Sequence, residues 1–205
     1  MLKLNKIEKS IIIGFCATIF LLIFADFHSF ATTSDSLSNK ILRLHIIANS
    51  DCASDQEVKL AIRDELLKQS GEIFTNCENL EQSKLVANEN LEKIESIANS
   101  VLQEHGYTYT ANAELVNMYF PTKTYDNVTF PAGNYDALRI TLGNAKGKNW
   151  WCVLYPCLCA PAAQNVESDE ILSGALSEKE LSLVLSSPKY EPRFAILELW
   201  KKLQN

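Results

Sequence analysis

Lys40-Ile-Leu-Arg-Leu-His-Ile-Ile-Ala48 alternates around Arg43 and His45 and then turns wholly apolar. That pattern predicts a β-strand entering a core. Asn49-Ser50-Asp51 follows with turn chemistry. Ser54-Asp55-Gln56-Glu57 then has the capping-box form, a hydroxyl with Glu three residues on. It predicts a helix from Asp55 to about Gln69, with Val58, Ala61, Ile62 and Leu66 on one face. Arg63 and Asp64 flank that face, and Gly71 is placed to end the helix.

Further along, Ala87, Leu91, Ile94, Ala98, Val101 and Leu102 keep helical spacing, predicting one long helix from about Leu80 to His105, closed by Gly106. From Tyr107 to Val153 the pattern is β. Tyr107–Thr110, Glu114–Phe120, Tyr135–Leu142 and Asn149–Tyr155 read as strands, with Ala145-Lys-Gly147-Lys as a hairpin loop. Ser177-Glu-Lys-Glu180 is a second capping box. An amphipathic helix from about Pro192 to Leu203 closes the chain, with Phe194, Leu197 and Trp200 on one face. The order predicts a single α+β domain, a mostly antiparallel sheet covered by helices on one face. The first strand fits a central or an edge place equally well.

Upstream, Lys3, Lys6 and Lys9 precede an uncharged run from Ser10 to Ala25, 16 residues long, closed by Asp26. A membrane span wants about 20 residues, and a signal-peptide core about 7–15. Ser29-Phe30-Ala31 places small residues for a cut after Ala31. Residues 1–31 therefore read as a cleaved signal peptide or a retained membrane anchor, touching the membrane through residues 10–26 if uncleaved. Residues 32–39 read as a polar linker, and 40–205 as the exported domain. The basic end marks the cytoplasmic side.

Composition narrows the function. The 205 residues are 47% hydrophobic and 21% charged, an ordinary globular balance. Nineteen Lys and Arg against 25 Asp and Glu give net −6. An acidic chain without a basic block argues against a nucleic-acid partner. Only 7 Gly argue against a glycine-rich phosphate loop, and neither a Cys-x-x-Cys motif nor zinc-ligand spacing occurs. No cofactor, metal or small-molecule substrate is expected.

Three blocks of sequence carry a family resemblance. Leu42-Arg-Leu-His-Ile-Ile-Ala-Asn-Ser-Asp51 is followed by Asp55-Gln56, Lys59 and Arg63-Asp64. Phe120-Pro-Thr-Lys-Thr-Tyr125 leads to Phe130-Pro-Ala-Gly133 and Tyr135-Asp-Ala-Leu-Arg139. Gly147-Lys-Asn-Trp-Trp-Cys-Val-Leu-Tyr-Pro156 leads to Leu158-Cys159. Together they resemble the stage II sporulation protein R family, and Arg193–Trp200 resembles its closing helix more loosely. The resemblance implies a non-enzymatic signal of endospore formation, exported across the forespore membrane into the intermembrane space. There it would activate a membrane-embedded aspartic protease of the mother cell, which processes the precursor of the early mother-cell sigma factor.

Arg43, His45, Asn49, Asp51, Asp55, Arg63 and Trp151 are the candidate partner-binding residues. Five of them, Arg43, His45, Asn49, Asp51 and Asp55, gather with Ser50 around one strand-to-helix turn, Arg63 follows on the helix, and Trp151 is one of two adjacent tryptophans whose rings point to opposite faces of a strand. A structural alternative has Asn49 and Asp51 capping the turn and Arg43 paired with a carboxylate such as Asp64. A catalytic alternative is an envelope hydrolase using His45, Ser50 and Asp51, although the Gly-x-Ser-x-Gly context is missing. A third is an anchored envelope scaffold. Cys152 and Cys159 fall where the family tends to carry cysteine and are a candidate disulfide, with Cys152–Cys157 as the competing pair.

Overall fold

Strand β1 (Leu42–Ile47) lies inside a four-stranded sheet, between β5 (Gly133–Leu142) and β6 (Asn149–Tyr155), with β2 (Ala111–Phe120) outside β5. It runs parallel to β5, pairing Leu44 with Leu138, and antiparallel to β6, pairing Leu44 with Cys152. β2 is antiparallel to β5. A short antiparallel pair, β3 (Lys123–Tyr125) and β4 (Val128–Phe130), forms a second sheet. The computed structural model describes residues 5–74, 77–125, 127–158, 168–185 and 192–204. The protein is an α+β fold with an apolar N-terminal helix.

Alternation along β1 divides two cores. Leu42, Leu44 and Ile46 face a helical layer made of α2 (Ala53–Phe74), α3 (Leu80–Glu89) and α4 (Leu91–Glu104). Val58, Ile62 and Leu66 of α2 and Ile94, Ala98 and Leu102 of α4 fill it. Burying each such Leu or Ile contributes about 1.5–3 kcal/mol over leaving it exposed. The opposite face is also covered. Phe120, Phe130, Tyr135, Ala137 and Val153 pack there with Leu37 from α1 (Lys6–Ser38), Leu172 from α5 (Ser168–Ser173) and Val184 from α6 (Glu178–Leu185). A third cluster joins Phe30 of α1 to Leu197 of α7 (Pro192–Gln204).

Several local expectations give way to tertiary structure. The stretch 32–39, read as a linker, continues α1 as far as Ser38, with Ser34 and Leu37 buried. Ser54 is inside α2 rather than at its cap, and α2 passes Gly71 to reach Phe74. The long second helix is two helices. Asn90 closes α3, its side-chain amide donating to the Val86 carbonyl, and α4 restarts at Leu91. Tyr107–Thr110 is not a strand; the Tyr107 and Tyr109 rings pack together 5.0 Å apart. The loop 143–148 is not a hairpin, because β5 and β6 do not pair and the loop steps across the end of β1. At α6 the capping sequence works in one direction: Glu180 Oε2 accepts from both the Ser177 N–H and its hydroxyl.

Candidate functional site

The chain leaves β1 at Ala48 and turns through Asn49-Ser50-Asp51 into α2. Asp55, in the first turn of α2, is the hub of that turn and is only 4% exposed. Its Oδ2 accepts from Asn49 Nδ2 at 2.8 Å and from the Ser50 hydroxyl at 2.6 Å. Its Oδ1 accepts from the Tyr109 hydroxyl at 2.8 Å. Burial pushes the carboxyl up, but the bonds from Ser50, Asn49 and Tyr109 outweigh it and hold the pKa at about 2. Burial and the neighbouring Asp55 charge push the Tyr109 phenol well above its ordinary value.

The β5–β6 loop clamps the same turn from above. Asn49 Oδ1 accepts from the Asn144 N–H, and the backbone N–H groups of Lys146 and Gly147 donate to the carbonyls of Asn49 and Ala48. Gly147 lies so close that a Cβ there would collide with the Ser50 carbonyl. Beneath the loop, the buried Lys59 ammonium donates to the Lys148 carbonyl and to Gln56 Oε1, while Gln56 Nε2 donates to the Ser50 carbonyl. Burial lowers the Lys59 pKa, and Asp51 opposes that. Asp51, Cys52 and Ser54 remain exposed on the outside of this braced turn. One helical stretch further on, Arg63 stacks over the Trp150 ring at 5.3 Å and pairs with Asp64 at 2.6 Å.

Arg43, His45 and Trp151 sit elsewhere, on the opposite face of the sheet. Arg43 is 0% exposed. It does not pair with Asp64: its Nε donates to the Cys152 carbonyl and Nη2 to the Tyr125 hydroxyl. Its guanidinium carbon stands 4.6 Å from the Phe120 ring centroid, 5.1 Å from Tyr135, 5.4 Å from Phe130 and 5.6 Å from Tyr125. A cation enclosed by aromatic faces is held by their quadrupoles. His45 is 3% exposed, its Nε2 2.7 Å from Asn149 Oδ1 and Nδ1 3.3 Å from Met118 Sδ. Burial depresses its pKa, against the Asn149 bond. Neither side chain reaches the surface, so both hold the fold rather than meet a partner directly. Trp151 is half-buried, packed on His45 and Phe120, with the Lys123 ammonium 4.3 Å over its ring.

The seven candidates thus divide in two. Asn49, Asp51, Asp55 and Arg63 belong to the braced turn and α2; Arg43, His45 and Trp151 belong to an aromatic layer across the sheet. The hydrolase arrangement is not assembled, because Ser50 Oγ donates to Asp55 and His45 is held by Asn149. Cys152 is disulfide-bonded; its expected partner Cys159 lies outside the described residues. Tyr109, Gln56, Lys59 and Gly147 complete the site; Gln56, Lys59 and Gly147 stand in the blocks that carry the family resemblance, where no role marked them, and Tyr109 stands outside those blocks.

The described residues thus form an α+β domain on a long apolar helix, with a polar turn braced by Asp55, Lys59 and the β5–β6 loop. The comparisons agree with the sequence blocks. The stage II sporulation protein R family model matches residues 38–165. The chain belongs to this family. Stage II sporulation protein R of Bacillus subtilis (strain 168) is 38% identical over 123 residues, which cover 60% of this chain and 55% of that protein. The match spans little more than half of that relative's length. No solved structure matches.

Proposed function

We propose that this protein is an exported signal of endospore formation that activates a membrane-embedded aspartic protease of the mother cell, leading to cleavage of a sigma-factor precursor. The observation that carries the reading is the braced turn at Asn49–Ser54. Its inner groups are bonded by Asp55, Lys59 and the β5–β6 loop, while Asp51 stays exposed and Arg63 stacks on Trp150 further along α2. A preformed surface of this kind loses little conformational freedom on docking. A ligand activates only by favouring one state of its partner, and a rigid surface suits that task.

The apolar helix α1 supports export with the domain kept at the membrane. Its window of mean hydropathy 2.3 has no burial in the domain, whereas Phe30, Ser34 and Leu37 are built into the fold. Ala31, the expected cut site, is inside that docked helix. We read α1 as a retained anchor that presents the domain in the intermembrane space.

The test is reconstitution in a non-sporulating host. The full chain, the protease and the precursor are co-expressed, and precursor cleavage is followed by immunoblot. Cleavage is expected to depend on this chain, to survive Ser50→Ala, and to fall at least tenfold with Asp51→Lys or Arg63→Glu while the domain stays folded. A factor of ten corresponds to about 1.4 kcal/mol of lost coupling. Cleavage insensitive to both charge reversals removes this surface from the mechanism. Loss of cleavage in Ser50→Ala with the fold intact would favour the hydrolase instead.

A further inference from the structure

Helix α7 carries an apolar stripe that the fold does not use. Ile196, Leu199, Trp200 and Leu203 are 53%, 62%, 53% and 78% exposed. Their spacing of three, one and three residues puts them on one helix face. Among the described side chains of α7 only Leu197 is buried, against Phe30 of α1. Three charges of α7 are paired: Lys201 with Asp35 of α1 at 2.6 Å, and Lys202 with Glu198 at 2.9 Å.

The position of this stripe is set by α1. Exposed apolar side chains on α1 run from Ile7 to Phe24. A hydrocarbon core about 30 Å thick takes about 20 helical residues, so it is filled at about residue 26. Phe30 then stands about one helical turn above that boundary, at about 6 Å. Leu197, midway along α7, touches Phe30, and Lys201 meets Asp35 further along α1, so α7 lies beside the stretch of α1 that follows its lipid-facing part. Tryptophan favours the headgroup zone, and lysine stems extend through it.

The geometry points to α7 as a second membrane contact, a helix whose Ile196–Leu199–Trp200–Leu203 stripe rests on the lipid surface from which α1 emerges. The inference rests on α1 being retained. Two contacts, one spanning and one interfacial, fix the tilt of the domain above the bilayer. The braced turn then faces a fixed direction instead of sweeping around a single tether.

The experiment uses the full chain in vesicles of phosphatidylethanolamine and phosphatidylglycerol whose acyl chains carry bromine near the headgroup or near the chain end. Intact mass confirms that α1 is present. Tryptophan emission should be quenched more by the shallow bromines than by the deep ones, and Trp200→Phe should remove that quenching. The pair Leu199→Glu with Leu203→Glu should also remove it, with circular dichroism unchanged. Equal quenching in the Trp200→Phe variant and the parent overturns the proposal. So does a Trp200 shielded from bromine because a second copy covers the stripe, seen as a cross-linked dimer lost in the double glutamate variant. A start at Thr32 in protein recovered from the exporting host would instead overturn retention, and with it the basis of the inference. An intact α1 with unquenched Trp200 overturns the interfacial helix alone.

Discussion

Arg43 brings its guanidinium into the core where the described contacts are a carbonyl, a phenol and four ring faces. Removing it leaves a void and strips the Tyr125 hydroxyl of its donor. Arg43→Ala is expected to cost about 3–5 kcal/mol in urea denaturation, and Arg43→Met less, since an apolar chain refills the space without a charge to desolvate. Asp55 and Glu180 set the acid limit. Burial pushes Glu180 up, but bonds from Lys40, Ser177 and Ser36 prevail and hold it at about 2, as Asp55 is held. Both native values lie below the ordinary 4.5 and 3.8, so their stabilisation is full above about pH 4.5 and fades as pH falls toward 2. Asp55→Asn should lose about 1.5–3 kcal/mol at pH 7 and flatten that acid limb in a pH series of melts. His45 acts earlier. Its depressed pKa means the unfolded chain binds the proton first, so stability also declines as pH drops below about 6.5, and His45→Gln removes that part. The sequence made the polar cluster visible because its members are neighbours in the chain. It could not show that Arg43 is interior, since alternation places a residue on a face without saying what covers that face.

Among the elements, the loop 143–148 is the sharpest difference from expectation. Two alternating strands joined by a short Gly-containing loop have the signature of a hairpin. Here the same six residues cross over β1 instead. Stepping over one strand spans about 9.6 Å, well within the reach of such a segment, so loop length does not tell the two cases apart. Strand order is a property of which surfaces bury best together, and local sequence does not encode it. The consequence falls on Gly147, whose missing Cβ lets the loop press on the Ser50 carbonyl. Gly147→Val should destabilise by about 1–3 kcal/mol and raise hydrogen exchange at the N–H groups of Lys146 and Gly147 before it affects the helical layer. The Asn90 break was hidden for a similar reason. The apolar spacing continues through it, while the side-chain bond to Val86 closes one helix and starts the next.

For the molecule as a whole, the apolar N-terminal segment was plain in the sequence, but its attachment was not. Residues 29–31 read as a cut site and 32–39 as a polar linker, yet Phe30, Ser34 and Leu37 are buried, Ser36 donates to Glu180 and Asp35 meets Lys201. These partners lie more than 140 residues away in the chain, beyond any local pattern. Phe30→Ala in the full chain should loosen α7 ahead of the sheet. Trypsin cleavage after Lys201 is expected to accelerate while the helices packed on β1 stay protected; unchanged cleavage would show that α7 does not depend on α1.

The central place of β1 also governs when this protein can exist as a folded object. Leu44 meets Leu138 and Cys152, 94 and 108 positions later. Closing the first of these loops costs about 4 kcal/mol of chain entropy before any pairing offsets it. The strand that opens the domain is therefore without neighbours until about two thirds of the 205 residues have been delivered. Under the export proposed above this delay is useful: a chain threaded across a membrane would not assemble ahead of its transport, and the sheet would close on the far side.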